Sequence, residues 1–381
     1  MRIGIVPPND IDYGLDMAYA LDKAGEQVFL YLAKRDAYRA LENNPLVVDS
    51  FYNLGILPQS VHLHLYNAPR MRDLRSLAVT RSLCQDIIKD GVDVAFLLAG
   101  GGEFWLAVLG CLLHRLPVCS TMIMPTPNVG EHLTSFIIAV NRLLARYSDI
   151  IVVNGKNQVL IVQEKYGLPT SKIHYLPLPP RETPVRWARK NVDEEPGLIL
   201  FFGRVAPHKG IEYLVRAQPQ ITKYVDYARI VIAGKGPYFE QCRQLIQDPN
   251  RFELYEGFIP NEVVADLFQR ASVVVLPYLT ASTSGILATA QAFGKPVVAT
   301  RVGALSEYVK DRVTGILVPP ASEEKLATAI VELLQNDELR HQLGKNARSR
   351  VTELRNECAR QTLSVLEKSI TSHHTLSNHR K

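Results

Sequence analysis

The chain alternates short apolar runs with longer segments whose apolar residues recur every three or four positions. Runs at Arg2–Val6, Gln27–Leu32, Val94–Leu98, Pro117–Met122 and Ile150–Val153 have the length and β-branched content of strands buried on both faces. Helical periodicity lies between them, at Leu15–Ala24 and Glu131–Tyr147, with a loop expected up to Gly14. The second half repeats the scheme with Leu198–Phe202, Arg229–Ala233, Val273–Pro277 and Val297–Thr300. Such alternation predicts an α/β protein with mainly parallel sheets.

One segment interrupts the rhythm. Residues 179–197, PPRETPVRWARKNVDEEPG, are rich in proline and charge and have no period, which predicts a linker between a domain at 1–178 and a second at 198–355. Ser322, followed by Glu323 and Glu324, opens a helix by capping and dipole complementarity. A last helical pattern runs from about Leu339 to Ile370. Residues 371–381 show no apolar pattern and are expected to be a mobile tail.

Composition adds limits. A chain of 381 residues, 47% hydrophobic and 21% charged, can hold two separate cores. The net charge of +5 falls entirely after residue 180, which suits an acidic ligand and peripheral contact with an anionic membrane surface. No basic run is interleaved with aromatics, so nucleic acid is not expected as a partner. Five widely spaced cysteines read as small core residues of a reduced, cytoplasmic setting, not as a disulfide framework. His62 and His64 fit strand alternation better than a metal site, and no metal is expected. MRIGIV is too short an apolar run for a signal peptide. The most apolar stretch, Ala95 to Cys111, is broken by glycines and Glu103, which argues against a membrane span.

The chemistry concentrates where the strands of the second half end. Leu198–Phe202 breaks into Gly203-Arg204-Val205-Ala206-Pro207-His208-Lys209-Gly210, Arg229–Ala233 into Gly234-Lys235-Gly236-Pro237, and Val273–Pro277 runs on to Ser282-Thr283-Ser284-Gly285. Parallel sheets bind ligands beyond the carboxyl ends of their strands. Glycines there let backbone approach a ligand, Arg204 supplies a planar fork of donors, and Lys209 supplies a mobile point charge. Ile286, Leu287, Ala290 and Phe293 share a helical face, with Gly294 as its stop. Ser284 and Gly285 therefore fall at a helix N-terminus, where unpaired N–H groups favour an anion. Phosphate is the anion expected. Singly, Arg204 is equally a surface residue after a strand and Lys209 a residue near a helix start. Together with the glycines they favour phosphate.

These residues also carry a resemblance. GRVAPHKG, AGKGP, SGILATAQAFGKPVVAT, Val302-Gly303-Ala304 with Glu307, and TGILVPP stand in the order and spacing of the retaining nucleotide-sugar glycosyltransferases of family 4 (glycosyl transferases group 1). The match is close in the C-terminal domain. In the N-terminal half it is loose, resting on strand order and the segment from Ala145 to Pro177. The resemblance implies the GT-B fold, two Rossmann-like βα domains facing across a cleft. It also implies an acceptor-side N-terminal domain, and a helix at 356–370 returning to that domain. It implies retaining transfer from a nucleotide diphosphate sugar, a UDP- or GDP-sugar, to a saccharide or lipid-linked acceptor. No cofactor and no metal are implied, and the setting is cytoplasmic or peripheral at the inner membrane face. Arg204 and Lys209 would act on the diphosphate. Gly203, Gly234, Gly236, Ser282, Ser284, Gly285, Ile286, Thr289 and Glu307 would bind the donor, although Glu307 is equally a helix-capping residue.

The sequence departs from that family in two places. Members usually carry two glutamates eight positions apart where this chain has Ala281 and Thr289. Alanine accepts no hydrogen bond, and threonine offers one hydroxyl where a carboxylate takes two. Members often also carry a His-Asp pair after the strand at Pro117–Met122, where this chain reads Ile123, Met124 and, further on, Asn128. Glu131 and His132 are the nearest acid–base candidates, and they equally read as the first turn of a helix. The turn Gly100–Gly102 with Glu103 is either a tight turn or an approach for an acceptor. The competing reading is a non-catalytic, glycosyltransferase-like protein that binds a nucleotide or a partner. A dinucleotide oxidoreductase ranks last, because Val6-Pro7-Pro8-Asn9-Asp10 is no Gly-rich fingerprint.

Overall fold

The computed structural model describes residues 1–8, 10–40, 47–68, 75–99, 103–126, 134–188, 192–281 and 283–378. It divides into two compact units. The first holds the described residues up to 126, those of 134–179 and those of 354–378, and the second holds those of 180–353.

The first unit is built on a seven-stranded sheet. Its strands are β1 (Arg2–Val6), β2 (Gln27–Ala33), β3 (His62–Tyr66), β4 (Val94–Leu97), β5 (Val118–Thr121), β6 (Ile150–Val153) and β7 (Ile173–Tyr175), in the order β3-β2-β1-β4-β5-β6-β7. Every pairing is parallel. The central strands are buried on both faces, which is why they read as unbroken apolar runs.

Capping by Asp10, whose Oδ1 accepts the Tyr13 N–H at 3.0 Å, starts the first helix at Ile11, four residues before the apolar period begins. His62 and His64 stand two apart on β3, as alternation requires. His62 stacks on Phe29, and His64 meets Tyr31 and the Asp90 carboxylate.

The second unit is built on six parallel strands, β8 (Leu198–Phe202), β9 (Arg229–Gly234), β10 (Phe252–Glu256), β11 (Val273–Leu276), β12 (Val297–Thr300) and β13 (Gly315–Val318). Their order is β10-β9-β8-β11-β12-β13. Leu198 to Phe202 pair with Arg229 to Ala233, and Val273 and Val274 pair with Ile199 and Leu200 on the other side. The chain reverses its direction of winding between β8 and β11, the position where open α/β sheets leave a ligand crevice.

The final helix differs from expectation. It runs from Asp337 to Asn378, and the boundary between the units falls inside it. Residues 371–378 are therefore helical, where a mobile tail is expected from their lack of an apolar pattern. Long-range contacts supply what the pattern lacks. The Cys358 thiol donates to Pro177 O at 3.3 Å, the Thr362 hydroxyl meets Met17 Sδ at 3.8 Å, and His373 Nδ1 lies 3.2 Å from both oxygens of Asp149. Asp149 Oδ2 also accepts the Val118 N–H at 2.8 Å. Asp149→Ala should therefore lower the unfolding free energy by about 1–3 kcal/mol, measured by chemical denaturation, because it strands a β5 N–H and releases the last turns of the helix.

Candidate functional site

The site is assembled from turns at the carboxyl ends of the second unit's strands. Gly203 leaves β8 with φ 123°, and its N–H donates to Ala233 O at 2.9 Å. Val205 N–H then donates to Lys235 O at 3.0 Å, and Gly257 N–H, after β10, donates to Gly234 O at 2.8 Å. The turns are pressed together. A Cβ on Gly234, where φ is 146°, would sit 1.8 Å from Gly203 O, and one on Gly236 would sit 1.9 Å from Val205 O. Both positions admit only glycine. The turns border a cavity of about 670 Å³ lined by Arg204, Lys235, Phe258 and the turn glycines, and the Phe258 ring is 53% exposed.

A second clamp joins the β8 turn to the end of β11. After the single turn Pro207–Lys209, Gly210 takes the left-handed conformation with φ 61°, and a Cβ there would lie 2.0 Å from Pro277 O. Leu279 N–H donates to His208 O at 2.9 Å. This places the Lys209 ammonium 3.6 Å from the centroid of the Tyr278 ring, a cation–π contact on an aromatic only 1% exposed. Tyr278 is held from behind by the Thr300 hydroxyl, which donates to its carbonyl at 2.5 Å. Its own hydroxyl lies 3.4 Å from Ser284 Oγ.

Ser284 caps the helix Gly285–Ala292, accepting the Leu287 N–H at 3.2 Å. No acidic residue occupies the first turn of that helix. Its N-terminal N–H groups and partial positive charge are therefore set beside Lys209 through one aromatic ring. The Ile286 side chain reaches Gly203, with Cγ1 3.4 Å from where a Cβ would be. Gly203, Arg204, Lys209, Gly234, Gly236, Ser284, Gly285 and Ile286 thus occupy contiguous turns of one unit.

Thr289 is 5% exposed, and its hydroxyl donates to Gly285 O at 3.0 Å within its own helix. That proton is committed to backbone, so the position offers a ligand less than the sequence suggests. Glu307 is exposed on the four-residue helix Leu305–Tyr308, which follows Gly303; a Cβ on Gly303 would meet Ala281 O at 1.8 Å. Glu131, His132, Ser282 and Gly100–Gly102 lie outside the described residues.

Among the described residues no cluster of His, Cys, Asp and Glu has the makings of a metal site. The triplet Asp10-Ile11-Asp12 has Asp-x-Asp spacing, but Asp10 is engaged in capping. No helix among the described residues is long and apolar enough to cross a membrane.

Three features escape a reading of the sequence. The turn after β10 brings Phe258 to the cavity. Tyr278 carries Lys209. Arg181, from the segment before β8, lies against the start of the helix at Gly285, with Nη2 3.4 Å from the position of the missing Cβ.

Residues 196–336 match the family model described as glycosyl transferases group 1, a span that covers all six strands of the second unit. The second unit is similar to the group 1 glycosyltransferases. The chain is similar to transferases of several specificities. The chain is 26% identical over 239 residues to the alpha-D-kanosaminyltransferase of Streptomyces kanamyceticus, covering 58% of this chain and 62% of that protein. It is 31% identical over 173 residues to a GDP-mannose-dependent alpha-(1-6)-phosphatidylinositol monomannoside mannosyltransferase of Mycobacterium tuberculosis, 43% of this chain and 45% of the other. The alignments thus span less than two thirds of the curated relatives' length.

Similarity of fold extends further. Sucrose-phosphate synthase from Thermosynechococcus elongatus matches with a TM-score of 0.69 at 19% identity, over 98% of this chain and 100% of that one. Anabaena Alr3699/HepE in complex with UDP and glucose matches with a TM-score of 0.70 at 15% identity, over 96% and 99%. The fold is GT-B, with two Rossmann-like units.

Glu212, at the start of the helix that follows Gly210, is 9% exposed, and its Oε2 has no hydrogen-bond partner among the described residues. Burial holds its carboxyl above the usual range, and burial together with Glu212 pushes the Cys242 thiol up to about 12. A raised carboxyl binds its proton more tightly folded than unfolded. Stability from this group is therefore present below the unfolded value and is lost as pH rises through the folded one. Glu212→Gln should raise Tm at pH 8 and give no gain at pH 4, read by thermal melts at both pH values.

Proposed function

We propose that this glycosyltransferase moves a hexosyl group, with retention, from a UDP- or GDP-sugar to a saccharide or lipid-linked acceptor. The observation that carries the reading is the convergence of Arg204, Lys209 and the start of the helix Gly285–Ala292 on glycine turns at the topological switch of one sheet. Breaking the bond between C1 and the diphosphate oxygen develops an oxocarbenium-like sugar and leaves negative charge on the departing phosphate. Arg204 and Lys209 donate to that charge, and the N–H groups of Gly285 and Ile286 meet it with the helix dipole. The glycines let the backbone come close enough to do so.

The cavity beside Phe258 takes the base in this reading, with the exposed ring as its stacking surface. Protein cations supply the charge, so transfer needs no divalent metal. Retention and the acceptor class follow from the family resemblance, and a lipid-linked acceptor would set the enzyme, a cytoplasmic protein, at the inner membrane face. Glu131 and His132 remain its acid–base candidates. A second reading, a non-catalytic nucleotide- or partner-binding protein, is favoured by Ala281 and the engaged Thr289 hydroxyl standing where donor-contacting carboxylates are expected.

Arg204→Ala and Lys209→Ala should each lower kcat/KM by about 10²–10³, or ~3–4 kcal/mol, with the fold intact by circular dichroism. Chelation by EDTA should leave turnover unchanged. Thermal shift with UDP, GDP, ADP and CMP, followed by NMR of the product anomer, separates the two readings: a selective shift with transfer and retained configuration supports the enzyme, and a shift with no transfer to any acceptor supports the binding protein. Phe258→Ala should weaken nucleotide binding by about 1–3 kcal/mol in titration calorimetry.

A further inference from the structure

Arg181 stands outside the motifs that define the donor site. It lies in the proline-rich segment before β8, yet it is only 6% exposed, and its guanidinium rests on the first residue of the helix Gly285–Ala292. Nη2, Nε and Cζ are 3.4, 3.5 and 3.7 Å from the place a Cβ would take on Gly285. These are ordinary van der Waals distances, so the guanidinium lies directly against the first residue of the helix.

The placement runs against simple electrostatics. Helix N-termini carry a partial positive charge and attract acidic side chains, while cations belong at the other end. Here the first turn has no acidic residue, Lys209 approaches from the Tyr278 side, and a buried guanidinium lies on the helix start itself. A guanidinium here adds a planar fork of donors to a helix start that already favours an anion.

We propose that Arg181 is a third cation of the donor site and that it selects a nucleoside diphosphate over a monophosphate. The inference rests on the donor-site reading above. Arg204 and Lys209 reach the diphosphate from the β8 turn, and Arg181 reaches it across Gly285, offering its planar fork to the phosphoryl group that departs from the sugar. Its position before β8 gives the enzyme a phosphate contact from a segment that is not part of the sheet. Arg181 thereby takes a share of the leaving-group charge.

The test is calorimetric titration of the full chain and its variants with UDP, UMP, GDP and GMP, with apo thermal melts alongside. The unaltered protein should prefer the diphosphate of one base. Arg181→Gln should cut the diphosphate-to-monophosphate affinity ratio about tenfold to a hundredfold while leaving monophosphate affinity unchanged. Millimolar guanidinium should restore part of the ratio by refilling the space. Arg181→Lys, which keeps the charge and loses the fork, should lower the ratio by less than Gln does, and it carries the decision if the Gln variant does not fold.

An unchanged ratio in a folded variant, in an otherwise diphosphate-selective protein, overturns the role of Arg181; a lowered apo Tm in that variant would then mark it as structural. An unaltered protein that binds no nucleotide overturns the donor-site reading itself, and this proposal with it.

Discussion

Close backbone approach is the constraint on which the rest of the second unit depends. At the strand-end turns a carbonyl oxygen lies where a side chain would begin: Gly203 O at Gly234, Val205 O at Gly236, Pro277 O at Gly210 and Ala281 O at Gly303, all within about 2 Å of the missing Cβ. These contacts tie the ends of β8, β9 and β11 to each other and to the turn after β12. The hydrogen bonds from Gly203 to Ala233, from Val205 to Lys235 and from Leu279 to His208 run along the same seams. Cations carried on such turns are held by the main chain, and little reorganisation is needed when charge develops on a ligand.

The electrostatic character of the site follows from that frame. Lys209 is steered onto the Tyr278 ring, Tyr278 onto Ser284, and Ser284 caps the helix whose first turn lacks an acid. Positive charge is thus concentrated at the switch point. The carboxylate at Glu212 is buried just behind it, in the first turn of the next helix, without a partner for Oε2 among the described residues. The match to the group 1 glycosyltransferase model spans these turns. Arg181 lies before the matched span.

Most of the parallel strands were legible in the sequence because burial on both faces leaves a continuous apolar run. The glycine turns were legible because they follow those runs directly. β10 was not read, since its residues are only half buried and mix Glu with Tyr and Leu. The engagement of Thr289 with Gly285 O was hidden because a local i to i−4 bond leaves no mark in residue type. Arg181 was hidden for the opposite reason. Its neighbour Gly285 is about a hundred positions away, and only the folded chain brings the two together. The last turns of the final helix were missed because single contacts, such as His373 with Asp149, hold them where an apolar stripe is absent.

That final helix bears on how the molecule is made. The second unit's residues end at 353, whereas the first unit takes residues 354–378 as well as those near the start. A nascent chain therefore presents every residue of the second unit to solvent before it can supply the last pieces of the first. Met17, Asp149 and Pro177 wait through translation of the whole second unit for Thr362, His373 and Cys358. The first unit is thus completed only after the whole of the second has been translated.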